Sequence, residues 1–277
     1  MRFEADALGL SPTGSVLLRD LIHGKIGLYY DDGRTNQLLD KLAPLVIARG
    51  FDSFLDYYYL LRYDPAADDE WGRVFDALAV PETYFWREMD QVLGVVGEVV
   101  PKLARRFDPV RIWSVPCASG EEPLSIAMAL AEAGWFDRAA VEIHASDASP
   151  AAIARARAGR YRERSFRALP AALREKYFSA DADAWKVDEA LHRRITWSTL
   201  NVLDTDRAAP LAASPVVFCR NMLIYFSQES LVRVLDLFLR HMPAPGYLCL
   251  GASESLLRYT TRFELEQLDG AYVYVKR

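Results

Sequence analysis

The sequence predicts an α/β protein in which a doubly wound, mostly parallel sheet follows a small all-α domain. Three observations support this prediction. From residue 110 onward, short β-branched and aromatic runs alternate with helical segments, which is typical of a parallel sheet covered by helices. Residues 1–79 show only helical periodicity. The chain of 277 residues is 51% hydrophobic, so it is long and apolar enough to bury a sizeable core.

The helical N-terminal domain is expected over residues 1–79. The segment NQLLDKLAPLVIARG has apolar residues at helical spacing and ends at Gly50, which is a typical C-terminal stop. Either Asp52 or Ser53 can cap the next helix, SFLDYYYLLRY. A third helix is predicted by EWGRVFDALAV.

A linker is expected over residues 80–109, with the TYFWR motif and a helix interrupted by Pro101. The sheet-forming domain is expected over residues 110–277. Its strands are predicted by the runs VRIWSV, VEIHAS, ITWSTL, VVFC, YLCLGAS and AYVYVKR. Because such sheets bind ligands beyond the C-terminal ends of their strands, we expect the chemistry of this protein in the turns that follow them.

Composition excludes several classes of protein. No stretch approaches the roughly 18 apolar residues that a membrane span needs, and the acidic start MRFEADALGL lacks the apolar core of a secretion signal. Three scattered cysteines without a CxxC pair favour a reduced, cytoplasmic protein and do not support a metal site. The net charge of −5 argues against a nucleic-acid partner.

The turn after the first strand, PCASGEE, favours a ligand with a cationic part. Small residues let the backbone approach a ligand closely, but a single Gly120 is no dinucleotide fingerprint. Glu121 and Glu122 at the start of the next helix would repel phosphates. S-adenosylmethionine carries a sulfonium and an ammonium and no phosphate, so it is a candidate.

Polar residues also follow the next two strands. Asp147 can accept hydrogen bonds from both ribose hydroxyls, or it can cap the following helix, a task that Ser149 can also perform. Asn201 and Val202 can present polar groups to an adenine edge, although an ordinary turn asparagine is equally compatible with the sequence.

Two further clusters contain candidate residues. Arg220 and Asn221 close the fourth strand, where they point into the cleft and need partners, and Tyr225 follows closely. In the TYFWR motif, the guanidinium of Arg87 can hold a carboxylate with two hydrogen bonds, which suits an acidic acceptor.

A basic stretch runs from residue 155 to residue 176, with eight basic and two acidic side chains. It is either a solvated helix face or a docking patch for an acidic protein partner. The candidate docking residues in this stretch are Arg155, Arg157, Arg160, Arg162, Arg164 and Arg167.

Four segments, ETYFWRE, CASGEEPLSIAMAL, HASDASPAAIARARAGRY and FCRNMLIYF, resemble the CheR family of chemotaxis receptor methyltransferases in order and spacing. The resemblance implies a class I methyltransferase-like sheet with a small inserted β-subdomain, here residues 177–199. It implies a bacterial enzyme that uses S-adenosylmethionine, releases S-adenosylhomocysteine, and converts glutamates of the cytoplasmic helical bundle of chemoreceptors to γ-glutamyl methyl esters. We expect a monomer that does not insert into the membrane.

The resemblance also implies roles for individual residues. Thr83 and Arg87 would contact the cofactor, with Arg87 near the methyl-transfer point and Tyr225 beside the acceptor. The remaining cofactor contacts would come from Ala118 and Glu122 at the methionine moiety, Asp147 at the ribose, Asn201 and Val202 at the adenine, and Arg220 and Asn221.

The sequence departs from the family pattern in ways that affect recognition. Pro81 and Pro116 replace residues that contact or approach the cofactor in relatives, and the N-terminal domain is acidic rather than basic. The inserted segment FSADADAWKVDEALHRRITW lacks the glycine-containing loop that grips a receptor pentapeptide in some members, so we expect action without that tether. A methyltransferase of a small-molecule acid and a non-catalytic cofactor-binding signalling module are the alternatives.

Overall fold

The structure is a computed structural model that describes residue 8 and residues 12–65, 67–80 and 82–277, apart from the side chains of residues 12 and 13. Within these residues, no helix has the length and apolar composition needed to cross a membrane. A helical N-terminal part leads through a linking helix into a mixed sheet covered by helices. The predicted fold class is therefore confirmed.

The N-terminal part contains helices α1 (Pro12–Ile26), α2 (Thr35–Ala48), α3 (Phe54–Tyr63) and α4 (Ala67–Leu78). Helix α2 is followed by Gly50 in a left-handed conformation, as expected of a helix stop. Ser53, rather than Asp52, caps α3 by accepting a hydrogen bond from the N–H of Asp56. Sequence analysis assigned no specific segment to α1.

A buried carboxylate joins three of these helices. Glu70 of α4 is fully buried and accepts hydrogen bonds from the hydroxyl of Tyr57 at 2.8 Å and from Nε of Arg49 at 2.7 Å. Burial raises the pKa of the Tyr57 hydroxyl well above its ordinary value. Because a buried carboxylate is costly unless it is paired, these contacts fix how the helices pack.

The linking helix consists of α5 (Met89–Gly94), a π-helical turn (Val95–Val99) and α6 (Val100–Leu103). The predicted interruption at Pro101 takes the form of this wide turn, in which the N–H of Val100 bonds to the carbonyl of Val95. A proline has no N–H and crowds the preceding turn, and a single π-helical turn accommodates such a residue without ending the helix.

In the described residues, seven strands form the main sheet in the order β6-β2-β1-β7-β8-β10-β9. The first five of these strands run parallel, whereas β10 pairs antiparallel with β8 and β9. The strands are β1 (Val110–Ser114), β2 (Val141–Asp147), β6 (Ile195–Thr199), β7 (Val216–Phe218), β8 (Gly246–Cys249), β9 (Glu264–Leu268) and β10 (Ala271–Lys276). Sequence analysis predicted all of them except β9, an exposed edge strand rich in glutamate.

The helices of this domain are α7 (Glu121–Glu132), α8 (Trp135–Arg138), α9 (Pro150–Ala158), α10 (Ala171–Tyr177), α11 (Glu189–His192), α12 (Thr205–Ala212) and α13 (Gln228–His241). One core cluster, around Val110, Ile112 and Ile143, lies on one face of the sheet, and a second, around Trp113 and Val217, lies on the other. Alternate residues of β1 thus point to opposite faces, and both faces are covered.

A second, smaller sheet is formed by β3 (Arg160–Tyr161), β4 (Phe178–Asp181) and β5 (Ala184–Val187). Its bounds differ from the expected insertion at residues 177–199. The first strand of the small sheet, β3, precedes residue 177. Residues 195–199, at the end of the expected range, form β6 of the main sheet. The run ITWSTL pairs in parallel with β2 and forms an edge of the larger sheet.

Helix α4 packs on the start of α9 and so connects the helical part to the sheet. Gly72 lies so close that a Cβ there would stand 3.1 Å from Cγ of Pro150. The carboxylate of Asp76 accepts hydrogen bonds from the hydroxyl of Ser149 and from the N–H of Ala151. Ser149 in turn caps α9. An acid at this position also complements the positive end of the α9 dipole.

Replacing Asp76 with alanine should therefore loosen the two parts of the chain. We expect the free energy of unfolding to fall by about 1 kcal/mol, since an exposed cap contact is lost, as measured by urea denaturation. Asp76→Asn keeps an acceptor oxygen and should lose less. Equal midpoints for wild type and Asp76→Ala would contradict this role.

Candidate functional site

Two adjoining cavities lie above the C-terminal ends of the parallel strands. The larger takes in about 910 Å³ of space and the smaller about 560 Å³, in both cases including space that is open to solvent. Val80, Pro116, Ala118 and Asn221 line both, so the two cavities form one elongated cleft. This position agrees with the general rule for ligand sites in open parallel sheets.

The turn after β1 forms the floor of this cleft. Ala118 and Gly120 have positive φ angles of 47° and 98°. Gly120 is needed for a second reason, because a Cβ there would lie 2.9 Å from the Trp197 ring and 3.1 Å from Cβ of Ala156. Only glycine fits this close approach without strain, and helix α7 begins directly after it.

Asp147, at the end of β2, lies across from this turn. One of its oxygens accepts a hydrogen bond from the N–H of Ala118 and the other from the N–H of Ser149, both at 2.9 Å. Burial raises the pKa of the Asp147 carboxyl, and the two N–H donors oppose that rise. Each oxygen keeps room for a further donor, so the carboxylate is fixed in place and can still accept two hydroxyls.

An ionic cluster around the buried Arg220 lies at the smaller cavity, which Arg220 and Glu122 line. The Arg220 guanidinium donates to Oε2 of Glu88 at 2.7 Å and to Oε2 of Glu122 at 3.2 Å. Glu122 also accepts from the hydroxyl of Ser114 at 2.7 Å. Burial raises the pKa of Glu122, which Arg220 opposes. For Glu88 the effect of burial is outweighed by Arg220, so its pKa lies below the usual range.

The same guanidinium has one unused donor. The side chain of Arg220 is 2% exposed, and its Nε has no hydrogen-bond partner among the described residues. An unpaired buried donor is costly. A ligand with an acceptor group in the smaller cavity would be one way to relieve this cost.

Arg87 lies on a backbone turn with unusual geometry. Its neighbours Trp86 and Glu88 both have left-handed φ angles, 67° and 48°. The N–H of Trp86 donates to the hydroxyl of Ser125 in α7 at 3.0 Å. This anchoring directs Arg87 into the smaller cavity beside Thr83, where Nη1 of Arg87 donates to the carbonyl of Glu82 at 3.0 Å.

Asn201 and Val202 line the larger cavity after β6. The amide nitrogen of Asn201 donates to the carbonyl of Lys25 in α1 at 2.7 Å, and its oxygen accepts from the N–H of Leu203 at 3.0 Å. The side chain therefore supports the loop and the contact with the helical part. This leaves Val202, which is 4% exposed, as an apolar wall of the cavity.

The segment after β7 carries Asn221 and Tyr225, and Glu254 holds it in place. The Glu254 carboxylate accepts hydrogen bonds from the N–H groups of residues 221, 222, 223 and 251 at 2.7–2.9 Å. Asn221 has a left-handed φ of 61°, and a Cβ on Gly251 would stand 2.4 Å from its amide nitrogen. Glu254 was not predicted from the sequence, because nothing in the segment SESLL indicates that this glutamate accepts hydrogen bonds from a distant segment.

The helical part supplies one wall of the larger cavity, and sequence analysis missed this as well. The wall consists of apolar residues from α1, α4 and the segments after them: Ile26, Leu28, Phe75, Leu78, Ala79 and Val80. The chain after α1 also pairs with the Tyr225 segment, since the N–H of Tyr29 donates to the carbonyl of Tyr225 at 3.1 Å. The helical part therefore belongs to the site.

The structure brings together every residue that the sequence singled out for cofactor binding or catalysis. The larger cavity is lined by Ala118, Asp147, Asn201, Val202, Asn221 and Tyr225, and the smaller by Thr83, Arg87, Ala118, Glu122, Arg220 and Asn221. Pro116 lines both, whereas Pro81 lies outside the described residues.

The basic stretch is less positive than its sequence suggests. Carboxylates from elsewhere in the chain pair with it, for example Asp181 with Arg160 at 2.8 Å and Glu132 with Lys176 at 2.6 Å. Further ion pairs are Arg162–Asp183, Arg167–Glu82 and Arg174–Glu163. Arg157 donates to the carbonyl of Trp197, Arg155 lines the larger cavity, and Arg164 is exposed. Because Glu163 lies within the stretch, the outside acids Glu82, Glu132, Asp181 and Asp183 offset four of the six excess positive charges.

Comparison with known proteins identifies the family of the chain. Residues 81–271 match the family described as CheR methyltransferase, SAM binding domain, and residues 16–79 match CheR methyltransferase, all-alpha domain. The chain is 32% identical to chemotaxis protein methyltransferase 2 of Vibrio cholerae, over 96% of this chain and 94% of that protein. It is 28% identical to a chemotaxis protein methyltransferase of Borreliella burgdorferi, over 85% of this chain and 86% of that one.

A third relative is named for a different process. The chain is 32% identical to the probable biofilm formation methyltransferase WspC of Pseudomonas putida, over 84% of this chain and 54% of that longer protein. The fold, the site and these matches together define an S-adenosylmethionine-dependent methyltransferase. Within that class, the chain belongs to the CheR methyltransferase family.

The position of Asp147 generates a prediction on cofactor affinity. We expect Asp147→Ala to weaken binding of S-adenosylhomocysteine by about 1–3 kcal/mol, because charge-assisted hydrogen bonds to the ribose are lost, as measured by isothermal titration calorimetry. The melting temperature without ligand serves as a control for the lost contacts to Ala118 and Ser149. Unchanged affinity would rule out Asp147 as the ribose acceptor.

Proposed function

We propose that this protein transfers the methyl group of S-adenosylmethionine to glutamate side chains in the cytoplasmic helical bundle of chemoreceptors, forming γ-glutamyl methyl esters. The observation that carries the proposal is the single cleft whose larger part is lined by Asp147 and Tyr225 and whose smaller part is lined by Glu122 and Arg87. Family membership supports the same activity.

The cleft suits the cofactor on chemical grounds. Asp147 offers two acceptor positions for ribose hydroxyls, and the apolar wall beside Val202 suits a flat aromatic base. Glu122 gives the smaller cavity an acidic residue that can face an ammonium group, and the unused Nε of Arg220 can serve a carboxylate. S-adenosylmethionine supplies an activated methyl group on a positively charged sulfur.

The chemistry requires alignment more than proton transfer. A glutamate side chain has an ordinary pKa of about 4.3, so the acceptor is already anionic at neutral pH and needs no general base. The work of the protein is to hold the acceptor oxygen in line with the methyl group and to exclude water. We assign the orienting role to Arg87, whose side chain is 25% exposed and lines the smaller cavity.

The direct test is transfer of a radiolabelled methyl group to receptor fragments. Purified protein is incubated with labelled S-adenosylmethionine and cytoplasmic fragments of chemoreceptors from the same genome. Volatile methanol released by base reports methyl esters. Transfer to small acids but to no receptor fragment would favour a small-molecule methyltransferase. Cofactor binding without any transfer would favour a non-catalytic signalling module.

The roles of Arg87 and Tyr225 can be separated in the same assay. We expect Arg87→Ala to lower turnover by about 100-fold, because the acceptor is no longer aligned. Affinity for S-adenosylhomocysteine is titrated in parallel, since Arg87 is also expected to contact the cofactor. Tyr225→Phe keeps the ring and should cost less than about tenfold, the scale of one lost hydrogen bond. Full activity of Arg87→Ala with normal cofactor binding would disprove the orienting role.

We further propose that the protein acts without a pentapeptide tether at the receptor C-terminus. The hairpin between β4 and β5 supports this, because Asp181 pairs directly with Ala184 and leaves a two-residue turn. The turn contains Ala182 at a positive φ and Asp183, with no glycine. A short turn of this kind leaves little loop to grip a peptide.

A titration with such a pentapeptide tests the proposal on tether binding. We expect no saturable binding at micromolar concentrations, and equal methylation rates for receptor fragments with and without the C-terminal peptide. Micromolar affinity, or a rate that falls when the peptide is deleted, would contradict this prediction.

The cellular location, the oligomeric state and the partners of the protein are proposed as well. We place the protein in the cytoplasm as a monomer that does not bind nucleic acid. The net charge of −5 supports the last point, and the receptor bundle that it would methylate faces the cytoplasm. The arginines of the basic stretch remain candidates for contacts with the receptor, chiefly Arg164, which is exposed.

A further inference from the structure

The C-terminal edge of the main sheet is divided into two halves. Ala118, Asp147 and Asn201 follow β1, β2 and β6, and these residues line the cofactor cleft. The neighbouring strands β7 and β8 lead into two other segments, residues 221–226 and 250–263, which lie beside each other through the contacts of Glu254. Asn221 and Tyr225 line the cleft as well, but the outer surface of these two segments has no assigned role.

The second half exposes apolar side chains next to the catalytic opening. Leu257 is 69% exposed, and Ile224, Tyr225 and Tyr259 are also exposed. Leu257 forms a ridge between two open grooves of about 1090 Å³ and 900 Å³. One groove extends to Glu88, the neighbour of Arg87, and the other to Ile224, the neighbour of Tyr225.

The ridge is held outward by specific contacts. Leu256 is buried, and its N–H donates to the hydroxyl of Tyr274 at 3.1 Å. Its carbonyl accepts from the N–H of Tyr259 at 2.8 Å. With Leu256 fixed inward and Glu254 bonded to both segments, Leu257 must point to solvent. Exposed apolar side chains grouped in this way are typical of interaction sites.

The charge around the ridge indicates which partner fits. Arg258 lines the groove on the Ile224 side, and the described residues offer it no ion pair. Glu254, in the same groove, is turned to backbone N–H groups. The groove on the other side contains Glu88 and Asp90. An acidic partner is therefore favoured on the Ile224 side.

We infer that the ridge at Leu257 and the groove beside Ile224 and Arg258 form the docking surface for the amphipathic helix that carries the target glutamate. The inference rests on the proposed function and names where its protein substrate binds. The apolar face of the helix packs on Leu257, its acidic neighbours face Arg258, and the target side chain enters the cleft beside Tyr225 and Arg87. A helix in an apolar groove is a common recognition mode.

The test uses the full chain and a chemoreceptor bundle fragment that the wild type methylates. We expect Leu257→Ser to raise KM for the fragment by about fivefold or more, the scale of one truncated interface anchor. The kcat at saturating fragment and the affinity for S-adenosylhomocysteine should stay within about twofold. Arg258→Glu should raise KM as well. Arg258→Lys keeps the positive charge, so its KM should stay at the wild-type value.

Tyr63→Ser is the matched control. Tyr63 is 67% exposed on α3 of the helical part, so its truncation removes a similar exposed apolar surface, and KM should not change. An unchanged KM in Leu257→Ser, or a raised KM in Tyr63→Ser alone, would overturn the inference and favour docking on the helical part. If the wild type methylates no fragment, the proposed function itself fails and this docking surface with it.

Discussion

The site depends on one buried guanidinium. Arg220, at the end of β7, is bonded to Glu88 in the turn that carries Arg87 and to Glu122 at the start of α7. It therefore fixes three chain segments against one another inside the cleft. A buried arginine between two carboxylates is stable only while both partners are present, so the relative position of the cofactor cavity and the acceptor opening is set by this cluster.

Carboxylates serve throughout this protein as acceptors for main-chain and hydroxyl donors. Asp147 and Glu254 each order one loop of the site through backbone N–H groups, and Asp76 and Glu70 do comparable work in the helical part. Glu70 also pairs with Arg49, so part of the acidic balance of residues 1–79 is used inside the chain and requires no basic partner protein. A count of charged residues overestimates the charge that such a surface presents to another molecule, because these carboxylates already accept hydrogen bonds within the chain.

The fold and most of the site could be predicted because their signals are local. β-branched runs bounded by turn residues marked the strands, and the rule that ligands bind at strand ends selected Asp147, Arg220 and Asn221. Prediction failed where the deciding contact is distant in sequence. Glu254 acts on a segment some thirty residues away, the apolar wall comes from α1 and α4, and the acids that neutralise the basic stretch lie outside it. No periodicity or spacing encodes such contacts.

The wall from the helical part has a thermodynamic consequence. The larger cavity is lined by Ile26 and Leu78 of the helical part and by Asp147 of the sheet domain, so a ligand that fills it would bridge the two parts of the chain. Any ligand that binds only the assembled form stabilises that form. Asp76 and Asn201 already join the parts with a few hydrogen bonds. Cofactor binding and the docking of the helical part should therefore reinforce each other. The carbonyl of Tyr225 is bonded to the N–H of residue 29, so the same docking also positions the segment that we place beside the acceptor.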